Sequence, residues 1–530
     1  MHSFAAIVLR VQGGRDWWRD NRASLALPAA IGAVALLLRL YGLGDKPFWL
    51  DEVASLRRAT ATVPDLVADS LHNNHYPTYF LLLWLVAKLG TSQWLLRLPS
   101  AVFGAGAAAL TCAVGRKVAD ARAGAVAGLL MAFSPFAVQF GQEARSYTLV
   151  SCLILTALWG LVRLAQQPAA AAIPLHREGA LRGAWLAYGL GTAAALDVLN
   201  VAIPWLVAAN LGAIVVARAA GDRKRGFWRN WGTAQLAILA AWLPLAAAMY
   251  IASKGAVLDG VGWAPAATTR TTWWILAAVY LLRISNFITL DLAPVVVPGL
   301  SYAVIGLAAL GAWRMRLRPT VGAMLACTAL ALPLGLCLVS LFVPVLVPRY
   351  FAWGAAPFFI FVGAGLSGLS GPRFAAAAAG LGAICLVNLT PYYRYETKPR
   401  WDLVAAKLAV MAQPGDVVVV DSYYAYSLLS VFAARAGLDD RRVALTWQLP
   451  EAAAILPGHN LWAVYGRTGQ AAKKQSAEEF LGTLAPLGHP VVEHSVGRYI
   501  VLWRLAEREA AAQAPRRARL EAWAYEGPRP

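Results

Sequence analysis

Charge is what this chain has least of. Only 14% of its 530 residues are Asp, Glu, Lys or Arg, while 59% are hydrophobic and the mean hydropathy is +0.54. Soluble globular chains run to about 25% charged and about 45–50% apolar residues. The composition therefore excludes a chain that is soluble throughout and predicts a polytopic membrane protein. Acids are scarcer than bases, 28 against 47, which leaves a formal net charge of +19. That surplus does not imply a nucleic-acid partner, because the basic residues fall in short loops between apolar runs, as the positive-inside rule requires. Cysteine is nearly absent too. Cys112, Cys152, Cys327, Cys337 and Cys385 all lie in apolar segments without CxxC spacing, which excludes a disulfide framework and a zinc site. No Walker motif or solenoid repeat is present, and the one GxGxxG match, Gly363 to Gly368, falls inside an apolar run and not after a strand, so no soluble nucleotide is implied.

What the chain has in quantity is apolar runs long enough to cross a bilayer, for which about twenty residues are needed. They read at about 24–41, 97–115, 123–140, 147–165, 183–199, 201–219, 231–251, 292–313, 321–343, 351–369 and 374–390, eleven in all with eleven to thirteen allowed. Arg10, Arg15, Arg19 and Arg22 precede the first run, so residues 1–23 read as a cytoplasmic basic N-terminus before a retained anchor. The loops holding Arg116, Lys117 and Arg122, then Arg163, Arg177 and Arg182, then Arg218 to Arg229, then Arg314 to Arg318 all fall inside on that count. Thr78–Leu89 and Thr272–Leu282 are too short to span. They read as interfacial or re-entrant helices in extracytoplasmic loops at 42–96 and 252–291. After Asn388 the pattern changes to short alternating strand and helix signals. Strands are expected at 416–421, 443–447, 461–465 and 498–503, and helices at 403–411, 425–434 and 477–484. They predict an extracytoplasmic α/β domain over 391–506, followed by a charged, Ala/Pro-rich tail at 507–530 expected to be disordered. The fold class is thus an all-α polytopic membrane domain (24–390) with interfacial helices in its first outer loop, plus a C-terminal α/β domain.

On this topology four polar clusters meet one membrane face: Asp51-Glu52, His72 to Pro77, Gln142 to Tyr147, and Pro348-Arg349-Tyr350. Ionisable groups at such depth are costly unless hydrated or used, and mark a functional site. Asp51 and Glu52 can act as a general base or as metal ligands, or sit as helix-start acids at the positive end of a dipole. Trp49 reads as an interface anchor, and Arg57 and Arg58 as surface charges.

The segments LRLYGLGDKPFWLDE, HYPTYFLLLWLVAKLG, WLLRLPSAVFGAGAA, FSPFAVQFGQEARSYTL and VPRYFAWGAAP resemble the GT-C glycosyltransferases. The nearest likeness is to the protein mannosyltransferase and aminoarabinose transferase superfamily, in its bacterial branch. KPRWDLVAAKLAVMAQPGDVVVVDS resembles the start of that branch's extracytoplasmic domain. Many relatives end the fifth span on a Tyr-Thr-His-Tyr-like segment. This chain has Ala195-Leu196-Asp197-Val198-Leu199-Asn200 there, with no His. The resemblance implies an inverting transfer of a hexosyl or pentosyl group from a polyprenyl-phosphate donor to an unidentified cell-envelope acceptor, at the outer face of a bacterial inner membrane among membrane lipids. It assigns Asp51 as general base, with Glu52 and Glu143 as further catalytic carboxylates. Arg145, Arg349, His75, Tyr76 and Tyr350 become the substrate and phosphate contacts. A divalent metal ion, if used, falls to Asp51 and Glu143. The alternatives are a lipid or sugar transporter or flippase, and a non-catalytic envelope scaffold.

Overall fold

A computed structural model describes residues 25–173, 179–254, 268–280, 298–438, 444–446, 460–466, 476–485, 491–496, 500–505 and 521–522. The basic N-terminus, most of the loop at 252–291 and most of the tail lie outside the described residues. Every expected apolar run meets a helix. The series starts with α1 (Leu25–Leu40) and three short helices, α2 (Leu50–Thr60), α3 (Val63–His72) and α4 (Thr78–Ala87). It continues with α5 (Gln93–Val118), α6 (Ala121–Phe133), α7 (Pro135–Gly141), α8 (Tyr147–Gln166), the single turn α9 (Pro168–Ala171) and α10 (Gly179–Leu196). Then come α11 (Ile203–Ala219), α12 (Lys224–Ala252), α13 (Thr269–Tyr280), α14 (Pro298–Met315), α15 (Pro319–Val339), α16 (Ala355–Leu366) and α17 (Gly371–Arg394). Among the described residues, six helices are long and apolar enough to cross a membrane, or seven if the bent α6–α7 pair is one span. α1, α4 and α16 are apolar but shorter.

The α6–α7 bend of 58° has a local cause. Pro135 has no N–H for the carbonyl of Met131, and the chain breaks at Ser134, whose side chain caps Ala137 N. The carbonyls left over are taken by a buried cation: Arg39 of α1 donates to Met131 O at 3.2 Å and to Ala132 O at 3.2 Å. Its path exists because positions 104 and 141 are glycines; a Cβ at either would stand 2.6 Å from Arg39 Nε.

α5 gives the membrane domain its direction. Near its start, Arg97 reaches back to α2. At its end Lys117 O accepts from Gln166 and Val118 O from Arg318, so the basic loops after α5, α8 and α14 gather there. Twenty-one residues of helix at about 1.5 Å each separate Arg97 from Val118 by about 32 Å, close to a bilayer's hydrocarbon thickness. The basic loops and the acidic α2 turn therefore lie at opposite ends of the bundle.

After α17 come α18 (Trp401–Met411), β1 (Val417–Val420), α19 (Tyr423–Arg435), β2 (Ala444–Thr446), β3 (Leu461–Gly466), α20 (Ala477–Thr483), β4 (Val491–Val496), β5 (Ile500–Leu505) and β6 (Glu521–Ala522). They form one sheet of order β2-β1-β3-β5-β4-β6, parallel from β2 to β3 and antiparallel across β5. β4 had no counterpart in the sequence reading, because Glu493-His494-Ser495 interrupts its apolar signal. Nor had β6: Glu521 and Ala522 pair in parallel with β4 rather than lying in a disordered tail. Alternation along β1 sends Val417 and Val419 to one apolar layer, with Phe480 and Trp503. Val418 and Val420 go to the other, and that layer is shared with the membrane domain. Phe48, Val53, Tyr79, Phe80 and Ala144 belong to the same apolar cluster as Trp401, Phe432 and Trp462. The α/β domain is thereby seated on α2 and α4. Arg57 is part of this seat, donating to Ser427 O at 3.1 Å. Arg57 stays exposed, but Arg58 is no surface charge: it is buried and paired with Asp69 at 2.6 Å.

Candidate active site

α2 starts abruptly at Trp49, after Pro47 and Phe48, and puts two acids in its first turn. They face different surroundings. Glu52 has no solvent exposure. Its carboxylate takes both prongs of the Arg97 guanidinium, at 2.7 and 2.8 Å, and Lys398 Nζ at 2.6 Å. It also accepts from Ala144 N at 3.0 Å and, more loosely, from Trp49 N at 3.4 Å, closing the helix-start capping box. Burial alone would raise this acid, but Arg97 and Lys398 outweigh it and hold Glu52 at about 2. Arg97 also donates to the carbonyls of Leu43, Lys46 and Pro47, so one buried side chain fixes the approach to α2. Glu52 is thus a fully satisfied lock joining α2, α5, the Glu143–Ser146 turn and the linker into the α/β domain.

Asp51, one residue earlier, points to the open side, with 22% of its side chain exposed. Arg349 Nη1 donates to its Oδ2 at 2.7 Å, and Arg145 Nη2 lies 4.0 Å from the same oxygen. Desolvation pushes the Asp51 carboxyl up, while Arg349 and then Arg145 bring it below its ordinary value. His75 completes this side: its Nε2 is 3.3 Å from Arg145 Nη2 and its Nδ1 is 2.6 Å from Asn73 O. A carbonyl on one nitrogen and a guanidinium on the other fix the neutral tautomer with the proton on Nδ1. Burial, then Arg145 and Arg58, lower the imidazole's pKa in agreement.

The turn bearing Glu143 and Arg145 is held rigidly. Gln142 donates to the carbonyls of Arg39 and Tyr41 and accepts from the Tyr392 hydroxyl at 2.9 Å. Ser100 holds Arg145 O at 2.9 Å. Inside this fixed turn, Glu143 is buried, and its Oε2 has no hydrogen-bond partner among the described residues. Burial, together with Glu52 and Asp51, raises its carboxyl to about 7 against the opposing pull of Lys398 and Arg349. Arg145 Nε and Trp49 Nε1 also lack partners among the described residues. Unsatisfied buried polar atoms are rare in folded proteins, and several beside one charged cluster describe a place prepared for a polar ligand.

The structure therefore gathers Asp51, Glu143, Arg145, Arg349 and His75. It turns Tyr76 elsewhere: the buried hydroxyl accepts from Trp242 Nε1 of α12 at 3.0 Å. Tyr350 lies beside the cluster through its ring, 5.9 Å from the Arg349 guanidinium. Three members carried no signal of their own in the sequence. Arg97 and Lys398 look like ordinary helix-start and linker cations, and Trp49 like an interface anchor, yet its ring sits 5.6 Å from the Arg349 guanidinium. A divalent ion on Asp51 and Glu143 does not fit these residues. Asp51 already neutralises Arg349, the surroundings are cationic, and no group of three His, Cys, Asp or Glu forms a metal cage among the described residues.

Residues 74–245 match a family model described as dolichyl-phosphate-mannose-protein mannosyltransferase. Among solved structures, ArnT from Cupriavidus metallidurans superposes with a TM-score of 0.61 at 15% identity, over 93% of this chain and 100% of that one. The chain has the GT-C glycosyltransferase fold. ArnT bound to undecaprenyl phosphate gives 0.59 at 14% identity, over 90% and 97%. The archaeal oligosaccharyltransferase AglB from Archaeoglobus fulgidus, solved with an inhibitory peptide and a dolichol-phosphate, gives 0.52 at 13%, over 85% and 70%. A search of curated protein sequences found no match. The segments that suggested this family from sequence alone carry the candidate site: Asp51 and Glu52, the Glu143–Arg145 turn, and Arg349.

Proposed function

We propose that this protein is a multi-pass membrane glycosyltransferase that moves a sugar from a polyprenyl-phosphate carrier to an acceptor at the extracytoplasmic face. The observation that carries this reading is the Asp51 cluster: a partly exposed carboxylate between two guanidiniums, with further buried polar atoms awaiting partners. The undecaprenyl phosphate bound to ArnT and the dolichol-phosphate bound to AglB support a phosphate-linked donor. Eleven spans, with the basic loops inside a bacterial inner membrane, put α2 and the α/β domain outside.

Inverting transfer needs an acceptor oxygen aimed at the anomeric carbon and a partner for the departing phosphate. Asp51 accepts the hydrogen bond of the acceptor hydroxyl and orients it as general base. Arg349 and Arg145, whose guanidiniums match phosphate oxygens, meet the charge that grows on the leaving group in a site largely shut off from water. His75, fixed neutral, holds Arg145 in place. Glu52 acts at one remove, holding the α2 turn so that Asp51 stays where it is.

The test is transfer itself. The purified protein in nanodiscs is incubated with a panel of radiolabelled polyprenyl-phosphate sugars and a cell-envelope extract, wild type beside Asp51→Asn. Label entering an envelope product with wild type only is the expected result. Label that crosses the bilayer still attached to its lipid would instead identify a flippase, and neither outcome from a folded protein a scaffold.

A further inference from the structure

The charges around Asp51 do not cancel, and the way they fail to cancel fits one reaction. Among the described residues, two ion-paired groups stand side by side, Asp51 with Arg145 and Arg349, and Glu52 with Arg97 and Lys398; with Glu143 this network counts four cations and three carboxylates. His75 is neutral. With all three acids ionised the network is +1; with Glu143 protonated it is +2. A buried surplus of charge is costly unless a ligand completes it.

Glu143 is the member able to change state. Glu52 is fully satisfied by cations, and Asp51 is held ionised by Arg349. Glu143 stands in a turn fixed on both sides, so its bare Oε2 does not come from a loose loop. The groups whose charge acts on it are Asp51 and Glu52 from α2, Arg97 from α5, Arg349 ahead of α16, Tyr392 from α17 and Lys398 from the linker. Its carboxyl lies at about 7, where a group that must gain and lose a proton is most effective.

We propose that Glu143 is the resting place of the acceptor's proton, so that the site stays electrically balanced through the transfer. The inference rests on the glycosyl-transfer reading above. A polyprenyl-phosphate sugar is a phosphodiester carrying one negative charge, which the +1 network neutralises. In the reaction the acceptor's O–H bond breaks as its oxygen bonds the anomeric carbon. The bond from that carbon to the phosphate oxygen breaks with its electron pair. The lipid phosphate becomes a monoester dianion, the proton comes to rest on Glu143, and the +2 network then matches the −2 product. Asp51, stabilised as an anion by Arg349, aims the hydroxyl but is a poor final store for its proton.

The inference predicts a proton linked to product binding, readable without turnover. Undecaprenyl phosphate alone is titrated calorimetrically into the nanodisc protein at about pH 8, where the monoester is already almost fully a dianion. Two buffers of different ionisation enthalpy report the protons taken up. Wild type should take up ~1 proton per lipid bound. Glu143→Gln should bind the lipid with almost no uptake, and the monoanionic methyl ester of the same lipid should give wild type markedly less. Binding without uptake in wild type overturns the proposal even if the Gln variant does not fold. Equal uptake by Glu143→Gln, or with the methyl ester, also overturns it. If folded wild type binds no lipid phosphate at all, the transferase reading falls first, and this one with it.

Discussion

Asp51 and Glu52 are neighbours in the first turn of one helix, yet their surroundings are built on opposite principles. Around Glu52 every polar atom is matched: a bidentate guanidinium, an ammonium and a backbone amide close on a carboxylate without solvent exposure. Around Asp51 the matching is incomplete, with the carboxylate partly exposed and Trp49 Nε1, Arg145 Nε and Glu143 Oε2 lacking partners among the described residues. The helix turn itself produces this contrast. Successive side chains diverge by about 100° around the axis, so one acid enters the seam with α5 and the linker while the other turns to Arg349 and Arg145. A satisfied network makes a hinge point rigid; an unsatisfied one beside it is ready for substrate. The lesson is that identical chemistry on adjacent residues is divided into support and reaction by orientation alone.

That contrast breaks most severely at the support. Glu52→Ala leaves Arg97 and Lys398 as uncompensated buried cations, a loss on the order of 3–5 kcal/mol. We expect a sharply lowered Tm in detergent together with loss of transfer, and an unchanged Tm would end the lock assignment. Asp51→Asn should do the reverse, keeping a melting temperature near that of wild type while turnover falls by at least ~10²-fold. Near-normal turnover by that variant would remove Asp51 from the reaction. Arg349→Ala is next: loss of one charge-assisted phosphate contact should raise the donor concentration needed by about tenfold, seen as a shift in the donor-lipid saturation curve.

Acid provides a graded form of the same experiment. Glu52 is held at about 2, below its unfolded value. Its contribution to stability is therefore fully present above the unfolded carboxylate range and is lost as pH falls toward 2. His75, also depressed, acts in the same direction: its neutral folded form contributes above the ordinary imidazole range and loses that contribution as pH falls below it. Glu143, raised to about 7, works against His75 between about pH 7 and 4.5, so thermal melts should show the clear fall in stability only below about pH 4.5, and a smaller fall in Glu52→Gln. The smallest effect is expected at Arg57→Ala, which removes one partly buried contact between α2 and α19, worth about 0.5–1.5 kcal/mol. Its readout is earlier proteolysis within the α/β domain with transfer little changed.

The long apolar runs were legible because a bilayer imposes one crude requirement, length without charge, and each run falls on a helix. The clustering of Asp51, Glu143, Arg145 and Arg349 was legible only through the order of span ends and the family resemblance. Trp49 was hidden because a Trp after an apolar run looks the same whether it anchors at an interface or stands beside a buried guanidinium. Lys398 was hidden because nothing local distinguishes a linker cation from one that travels back to a residue 346 positions earlier. Tyr76 parts from its neighbour in the same way: it follows His75 directly, but its hydroxyl turns to Trp242 on α12. β4 and β6 were missed because their strand character comes from pairing in the sheet and not from an apolar run of their own.

By itself the sequence determined where the chain can be buried in lipid, which ends carry the basic loops, and that acids and arginines return to one face. Those are properties of composition and period, and any fold of this chain must respect them. Tertiary structure alone decided which carboxylate is sealed and which is open, that the linker into the α/β domain returns to Glu52 through Lys398, and that Glu143 stands buried with an oxygen lacking a partner among the described residues. Such outcomes depend on which distant side chains arrive within 3 Å of each other. In a low-dielectric interior those arrivals, and not the residue types, set the charge state of each group.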